Sequence, residues 1–330
     1  MAIATGTPAA HATEEFYKGK QLTVLIPFQA GSGYDTYARV FGRHIARHIP
    51  GTPAIVPSNL RGGGGLVLAT YLYNVAPQAG TEIALRSRAN RTDAVISNPV
   101  VKFDPRKFNW LGTISDEVSM CVAWHSSGFK TWEDLTKKQF IATASGATAD
   151  NGAFPLLFNE VLGTKYKVVV GYKGGPAMNL AIERGEAHGR CGWSWTAVKT
   201  TKADWLAEKK INLILQASLE KSKELPNVPL VIDLAKNNAD RALLKLAFAP
   251  QAIAWTITAG PGIPADRVAI LRKAFTATMS DPKFLAEAKR MKLDINPLTG
   301  EKVAEIVNDM FSAEKDVVAR LRRVTRPTDK

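Results

Sequence analysis

The chain has 330 residues, of which 45% are apolar and 22% charged, and a formal net charge of +13. That length exceeds what one core usually serves, so two lobes are expected, and no apolar run approaches the roughly 20 residues that span a bilayer as a helix. The basic excess is +4 over residues 1–120, +5 over 121–245 and +4 over 246–330, an even spread that argues against a nucleic-acid protein, which gathers its charge in a patch or tail.

The chain opens without a hydrophobic segment, but Ala10-His11-Ala12 before Thr13 reads like the small-x-small end of a signal peptide. Residues 1–13 are therefore expected to be the disordered remnant of an export signal. Leu22 to Ile26 reads as a buried strand. Tyr34 to Ile49 reads as a helix with Tyr37, Val40, Phe41, His44, Ile45 and Ile49 on one face, stopped by Pro50-Gly51. A short strand follows at Ala54 to Val56, then the Gly62–Gly65 run, a helix from Leu66 to Val75 and a strand at Ile83 to Leu85 that ends at Ser87-Arg88. This βαβαβ order implies a parallel sheet with helices on its faces. Ligands on such sheets bind beyond the carboxyl ends of the strands, which places the loop after the first strand and Arg88 at one edge. Residues 36–81 contain no acid but include Arg39, Arg43, Arg47 and Arg61. They form either a positive field for small anions or a solvated basic face.

Trp110 to Ile114 and Val118 to Trp124 are strand-like and carry the chain toward a second lobe. There the order repeats, with strands at Phe140, at Tyr166 to Val170 and near Arg190 to Trp193, alternating with helices at Asn151 to Leu162 and Ala177 to Arg184. Phe248 to Thr258 reads as extended and returning to the first lobe. The remainder reads as helical, with starts after Pro264 and Pro282 and a third helix from Glu301 to about Arg323.

Three glycine-bearing loops, each between a strand and a helix, carry the chemistry. The first is Pro27-Phe28-Gln29-Ala30-Gly31-Ser32-Gly33-Tyr34-Asp35, the second Thr143-Ala144-Ser145-Gly146-Ala147-Thr148, the third Tyr172-Lys173-Gly174-Gly175-Pro176. Such units aim unpaired backbone N–H groups and a helix N-terminus at one spot, which favours an anion. Tyr34, Tyr172, Trp193 and Trp195 lie in or near these loops. Aromatics beside backbone donors suit an organic anion with an apolar body, and core packing is the plainer role for at least two of them. Cys121 and Cys191 each fall in a strand of the middle third. They are a disulfide candidate if adjacent strands bring them together, or else two separately buried thiols. Other chemistries find little support. Gly31-Ser32-Gly33-Tyr34-Asp35-Thr36 lacks both the last glycine and the later acid of a dinucleotide site. No loop ends as a P-loop does. His44 and His48 share a helix but lack neighbouring ligands in the sequence, so no metal is expected. Gly192-Trp193-Ser194-Trp195-Thr196 lacks the second glycine of a nucleophile elbow.

Taken in order, these motifs resemble the receptor family of tripartite tricarboxylate transporters, the extracytoplasmic Bug proteins. The resemblance covers Phe16 to the C-terminal helices. It rests on Phe16-Tyr17-Lys18-Gly19-Lys20, Pro27-Phe28 with Gly31 and Asp35, Asn59 with the Gly62–Gly65 run, Tyr172-Lys173-Gly174-Gly175, Leu225-Pro226-Asn227-Val228-Pro229 and Pro261-Gly262-Ile263-Pro264-Ala265-Asp266-Arg267. It implies an α/β, two-lobed type II periplasmic-binding-protein fold with a two-strand hinge. Residues 14–117 with 247–330 would form lobe I and 118–246 lobe II, and the lobes would close on a carboxylate held by Phe28 to Tyr34 and Ser145 to Thr148. Two departures stand out: the second loop is poorer in glycine, and the family's acid after the third helix is His188 here. The expected ligand-binding set is Phe28, Gln29, Ala30, Gly31, Ser32, Gly33, Tyr34, Asp35, Arg88, Ser145, Gly146, Ala147, Thr148, Tyr172, Gly174, Gly175 and Trp193. The function this implies is a monomeric, periplasmic, non-enzymatic receptor, without cofactor, metal or nucleic acid, that delivers a small carboxylate to integral-membrane transporter subunits. The alternative is an α/β enzyme acting on a small anionic substrate.

Overall fold

A computed structural model describes residues 16–147 and 149–326, so the expected export-signal remnant and Thr148 lie outside the described residues. The chain divides into two units. Unit 1 holds residues 16–90, 99–115 and 255–307, and unit 2 holds 91–98, 116–254 and 308–326.

Unit 1 begins with β1 (Gln21–Ile26), whose Leu22, Val24 and Ile26 bury one face fully while Leu25 is buried on the other. It continues through α1 (Gly33–Ile45), β2 (Ala54–Asn59), α2 (Leu66–Asn74), β3 (Glu82–Leu85) and the short α3 (Ala89–Val95), then β4 (Asn109–Thr113). Strands β1, β2 and β3 are parallel. β2 runs three residues beyond the expected Ala54 to Val56 and includes Pro57. Proline is tolerated there because β2 is the sheet edge and no ladder bond is lost.

Unit 2 is built on β5 (Ser119–Trp124), β6 (Phe140–Thr143), α4 (Asp150–Leu162), β7 (Tyr166–Val169), α5 (Gly175–Glu183), β8 (Gly189–Ser194), α6 (Trp195–Thr201), β9 (Ile211–Ala217) and α7 (Asn238–Ala252). Its strand order is β7-β6-β8-β5-β9, with β6, β7 and β8 parallel and β5 antiparallel to both neighbours. The chain then completes unit 1 with β10 (Thr256–Ala259), α8 (Ala265–Met279), α9 (Pro282–Arg290) and β11 (Leu298–Thr299), and ends in α10 (Gly300–Phe311) and α11 (Lys315–Thr325). The unit 1 sheet has the order β11-β4-β10-β3-β1-β2.

Three expectations change. Phe248 is helical, not extended. Asn237 caps α7 by accepting from Asp240 N–H at 2.8 Å, and Leu243, Leu244, Ala247 and Phe248 bury one helical face. The C-terminal helix is two helices, broken at residues 312–314. Residues 308–326 belong to unit 2, not lobe I, because Leu321 enters the core that contains Phe158 and Leu244. Arg320 there pairs with Asp240 at 2.7 Å and Glu160 at 3.1 Å. Residues 91–98 likewise bring Val95 and Ile96 into that core.

The two long crossings between units leave paired backbone on each side. In unit 1 the Ile114 N–H donates to Trp255 O at 3.0 Å, and in unit 2 the Glu117 N–H donates to Gln251 O at 2.8 Å. Among the described residues no helix is long and apolar enough to cross a membrane.

Cys121 on β5 and Cys191 on the adjacent β8 are joined as a disulfide. Both are buried beside Tyr166, whose hydroxyl donates to Cys191 Sγ at 3.2 Å. The bond closes a separation of 70 residues. Cys121→Ala is accordingly expected to cost about 2–4 kcal/mol in urea unfolding, and unreduced, denatured protein should take up no alkylating agent by intact mass. Two alkylated cysteines without reductant would contradict the bond.

Candidate functional site

In unit 1 the loops after β1, β2 and β3 meet at the carboxyl ends of their strands. The Asn59 amide at the end of β2 donates to Phe28 O at 2.7 Å. The Arg88 N–H after β3 donates to the Tyr34 hydroxyl at 3.3 Å. Gly65 has a left-handed φ of +95°, and a β-carbon there would lie 2.7 Å from Ser87 Cβ and 3.2 Å from Pro27 Cβ. Only glycine lets the three loops close up at this point.

Asp35 holds the first loop. Its carboxylate is buried and accepts from the Gly31 N–H at 3.0 Å, Arg39 Nε at 2.8 Å and Asn59 Nδ2 at 3.0 Å. Burial alone would raise this carboxyl, but the hydrogen bonds from Asn59, Gly31 and Arg39 outweigh it and hold it below the usual carboxylate range. Asp35 and the Gly31 N–H, expected at the ligand, are thus spent on each other. Ser32 caps α1 by accepting from the Asp35 N–H at 3.2 Å. The first-turn N–H groups of Gly33 and Tyr34 take no acceptor among the described residues, as expected for the opening turn of a helix. Gln29, Ala30, Gly31 and Gly33 are exposed, and Phe28 and Tyr34 half-buried. The Tyr34 ring packs between Phe28 and Trp255, with both centroids 4.8 Å away. Arg88 is buried in the loop after β3.

The basic stretch is not an open positive field. Arg39 faces Asp35, Arg43 lies 2.7 Å from Glu287, and Arg47 lies 3.0 Å from Asp281. His44 and His48 take the same two acids, at 2.6 and 3.0 Å. Hydrogen bonds from Arg43 and His44 lower the Glu287 carboxyl to about 2. Among the described residues no group of three His, Cys, Asp or Glu could hold a metal.

In unit 2 the loops after β6 and β7 are joined by the Tyr172 N–H, which donates to Ala144 O at 3.3 Å. The Ser145 N–H is given to Asn151 Oδ1 at 3.1 Å, so this expected donor is used within the loop. Gly146 and Ala147 precede α4, half-buried and exposed respectively. Gly174, with φ +115°, is the N-cap of α5, which Gly175 opens. Tyr172, Gly174 and Gly175 are half-buried. Trp193 does not face solvent. It is buried in a core with Met120, Ile182 and Trp205, as the plainer reading of the aromatics allowed.

His188 precedes β8, where its Nδ1 accepts from the Ile141 N–H at 2.9 Å and its ring lies 5.1 Å from Phe129. Burial, with nearby Lys138, lowers its pKa. It is therefore a neutral packing residue beside β6. Ser194 donates to Glu117 Oε2 at 2.6 Å and accepts from the Ala197 N–H at 3.1 Å. Ser194 thereby serves as the N-cap of α6.

Two residues escape a sequence reading. Buried Glu117 accepts from the Ser194 hydroxyl and from the N–H groups of Trp195 and Val118, and so ties the crossing to α6. Arg190 on β8 is 5% exposed. Its signal is a lone cation inside an otherwise apolar strand.

No family model matches the chain. A curated relative from Pseudomonas sp. strain P51, a UPF0065 protein in the tcbD-tcbE intergenic region, is 23% identical over 323 residues, covering 96% of this chain and 89% of the relative. The periplasmic binding protein BugD superposes with a TM-score of 0.70 at 20% identity, covering 93% of this chain and 98% of BugD. MatC from Rhodopseudomonas palustris, solved with bound malate, has a TM-score of 0.68 at 20% identity, covering 91% and 99%. The structural neighbours include Bug- and TctC-type periplasmic binding proteins, and the two-sheet α/β architecture matches theirs.

The Asp35 network predicts a pH signature. Asp35→Asn should lower stability at pH 7 by about 1.5–3 kcal/mol, the range for hydrogen bonds to a charged group. A carboxyl depressed by folding contributes stability that is present above its unfolded pKa and lost as the pH falls through its folded pKa. The deficit of the variant in urea unfolding should therefore shrink as the pH drops from 7 toward 3. A constant deficit would contradict the role given to the carboxylate.

Proposed function

We propose that this chain is a non-enzymatic, periplasmic solute-binding protein that captures a small carboxylate and delivers it to a membrane transporter of the tripartite tricarboxylate type. The observation that carries this reading is the set of backbone N–H groups left without acceptors at the opening of α1, Gly33 and Tyr34, beyond the carboxyl end of β1. The loop that presents them is fixed from within by Asp35. Unit 2 repeats the arrangement, with the loops after β6 and β7 leading into the amino ends of α4 and α5. A carboxylate suits such donors because a helix N-terminus carries a partial positive charge and needs no buried cation to bind an anion. The half-buried rings of Phe28 and Tyr34 suit the apolar part of an organic acid. The malate bound by MatC is the kind of ligand this chemistry fits, and the Cys121–Cys191 disulfide suits an oxidising compartment.

Gly33→Pro tests the reading. Proline is tolerated at the first position of a helix, and Ser32 before it is already extended, with ψ 162°. The substitution removes one N–H and brings a β-carbon to 3.3 Å from the buried Trp255 ring, so Gly33→Ala, which adds the same β-carbon but keeps the N–H, is measured beside it as the control. In a thermal-shift and calorimetric screen, at least one small carboxylate should bind wild type, and Gly33→Pro should weaken it about tenfold or more, the worth of a charge-assisted hydrogen bond. Unchanged affinity in a folded variant would overturn the assignment of this loop.

A further inference from the structure

Arg190 is a buried cation without a counter-ion. Its Nη1 donates to Asn179 Oδ1 at 3.1 Å, and its guanidinium lies 4.6 Å from the Trp193 ring centroid. Its Nε is buried without an acceptor. The partly buried Arg47, Arg320 and Arg326 meet carboxylates at 2.7–3.0 Å, from Asp281, Asp240 and Asp93. Arg190 has no such partner among the described residues, and burial alone depresses its pKa with no acid acting against it. A guanidinium held this way costs folding free energy that an anion would recover.

Its position says where the anion would sit. Nη1 lies 3.5 Å from the point a β-carbon on Gly175 would occupy. Gly175 opens α5, a helix of nine residues capped by Gly174, so the cation stands under a helix N-terminus. A larger residue at 175 would press on the guanidinium. The same loop is tied to the Ser145 loop through Tyr172 and Ala144. Unit 2 therefore presents two donor sets, the loop leading into α4 and the amino end of α5, and Arg190 lies under the second.

We propose that Arg190 and the amino end of α5 bind a second carboxylate, making the ligand of this chain a dicarboxylate. This rests on the carboxylate-binding reading above. One carboxylate would engage backbone donors alone, and the other the planar guanidinium fork, whose geometry matches a carboxylate. A monocarboxylate can satisfy only one of the two donor sets.

The test is calorimetry on wild type, Arg190→Met and Arg190→Lys with straight-chain dicarboxylates from malonate to adipate, each paired with the monocarboxylate of equal chain length. Wild type should bind at least one dicarboxylate about tenfold or more tighter than its monocarboxylate counterpart, and Arg190→Met should cut that preference to about threefold or less. Arg190→Lys keeps the charge without the fork and should fall between. A wild type that binds both members of every pair alike, or an Arg190→Met that keeps the preference, overturns the role of Arg190 and leaves the carboxylate reading standing. Binding of no carboxylate overturns both. Should Arg190→Met fail to fold, the wild-type preference and its loss in Arg190→Lys decide the question, and an undiminished preference in the lysine variant counts against the fork.

Discussion

A helix that starts where a parallel strand stops leaves its first backbone N–H groups with nothing to bond. The rest of this structure is arranged around that constraint. In unit 1 the loop from β1 to α1 turns through Gly31, with φ +78°, and is locked by the Asp35 carboxylate, so the Gly33 and Tyr34 donors stay fixed with no ligand present. Preorganisation of this kind spares the ordering cost of binding. Gly65 adds to it, since its missing β-carbon lets the three loops at the strand ends nest against Pro27 and Ser87.

The charge of the chain divides along the same lines. An excess of thirteen positive charges could have meant a basic surface built for polyanions. Instead, much of the basic stretch beside the first loop is matched by acids from distant segments, Asp281 and Glu287, and by Asp35. These contacts pin α1 to α9 and its N-cap. In unit 2, Arg190 stands without a carboxylate partner among the described residues.

The short-range parts of this architecture were legible in the sequence. β1, the loop after it and the buried face of α1 follow from an apolar run, glycine and helical spacing. The parallel strands, the glycine-led helix starts and the two-unit α/β plan follow from the βα alternation. What long-range pairing decides was not legible. Asp35 reads as a ligand contact in the sequence because Asn59, 24 residues on, claims it only once β1 and β2 are side by side, adding to the local Arg39 pair on α1. Phe248 looked extended because its apolar neighbours read equally as a strand, until the Asn237 cap and its burial at helical spacing set the register. The last helix joins unit 2 through Arg320 and Leu321, whose partners Glu160, Asp240 and Phe158 lie eighty or more residues away. Arg190 was overlooked because a single cation in an apolar strand shows its lack of a counter-ion only in three dimensions.

The central claim is that backbone N–H groups at helix starts are the donors for a carboxylate. Amide proton and nitrogen shifts of the 15N-labelled protein, titrated with the tightest-binding carboxylate from calorimetry, test it most directly. Saturable downfield proton shifts at Gly33 and Tyr34 in unit 1, and at Gly146, Ala147 or Gly175 in unit 2, are predicted, with the Gly31 amide, already bonded to Asp35, moving less. Saturable binding that leaves the Gly33 and Tyr34 amides unshifted would contradict the account.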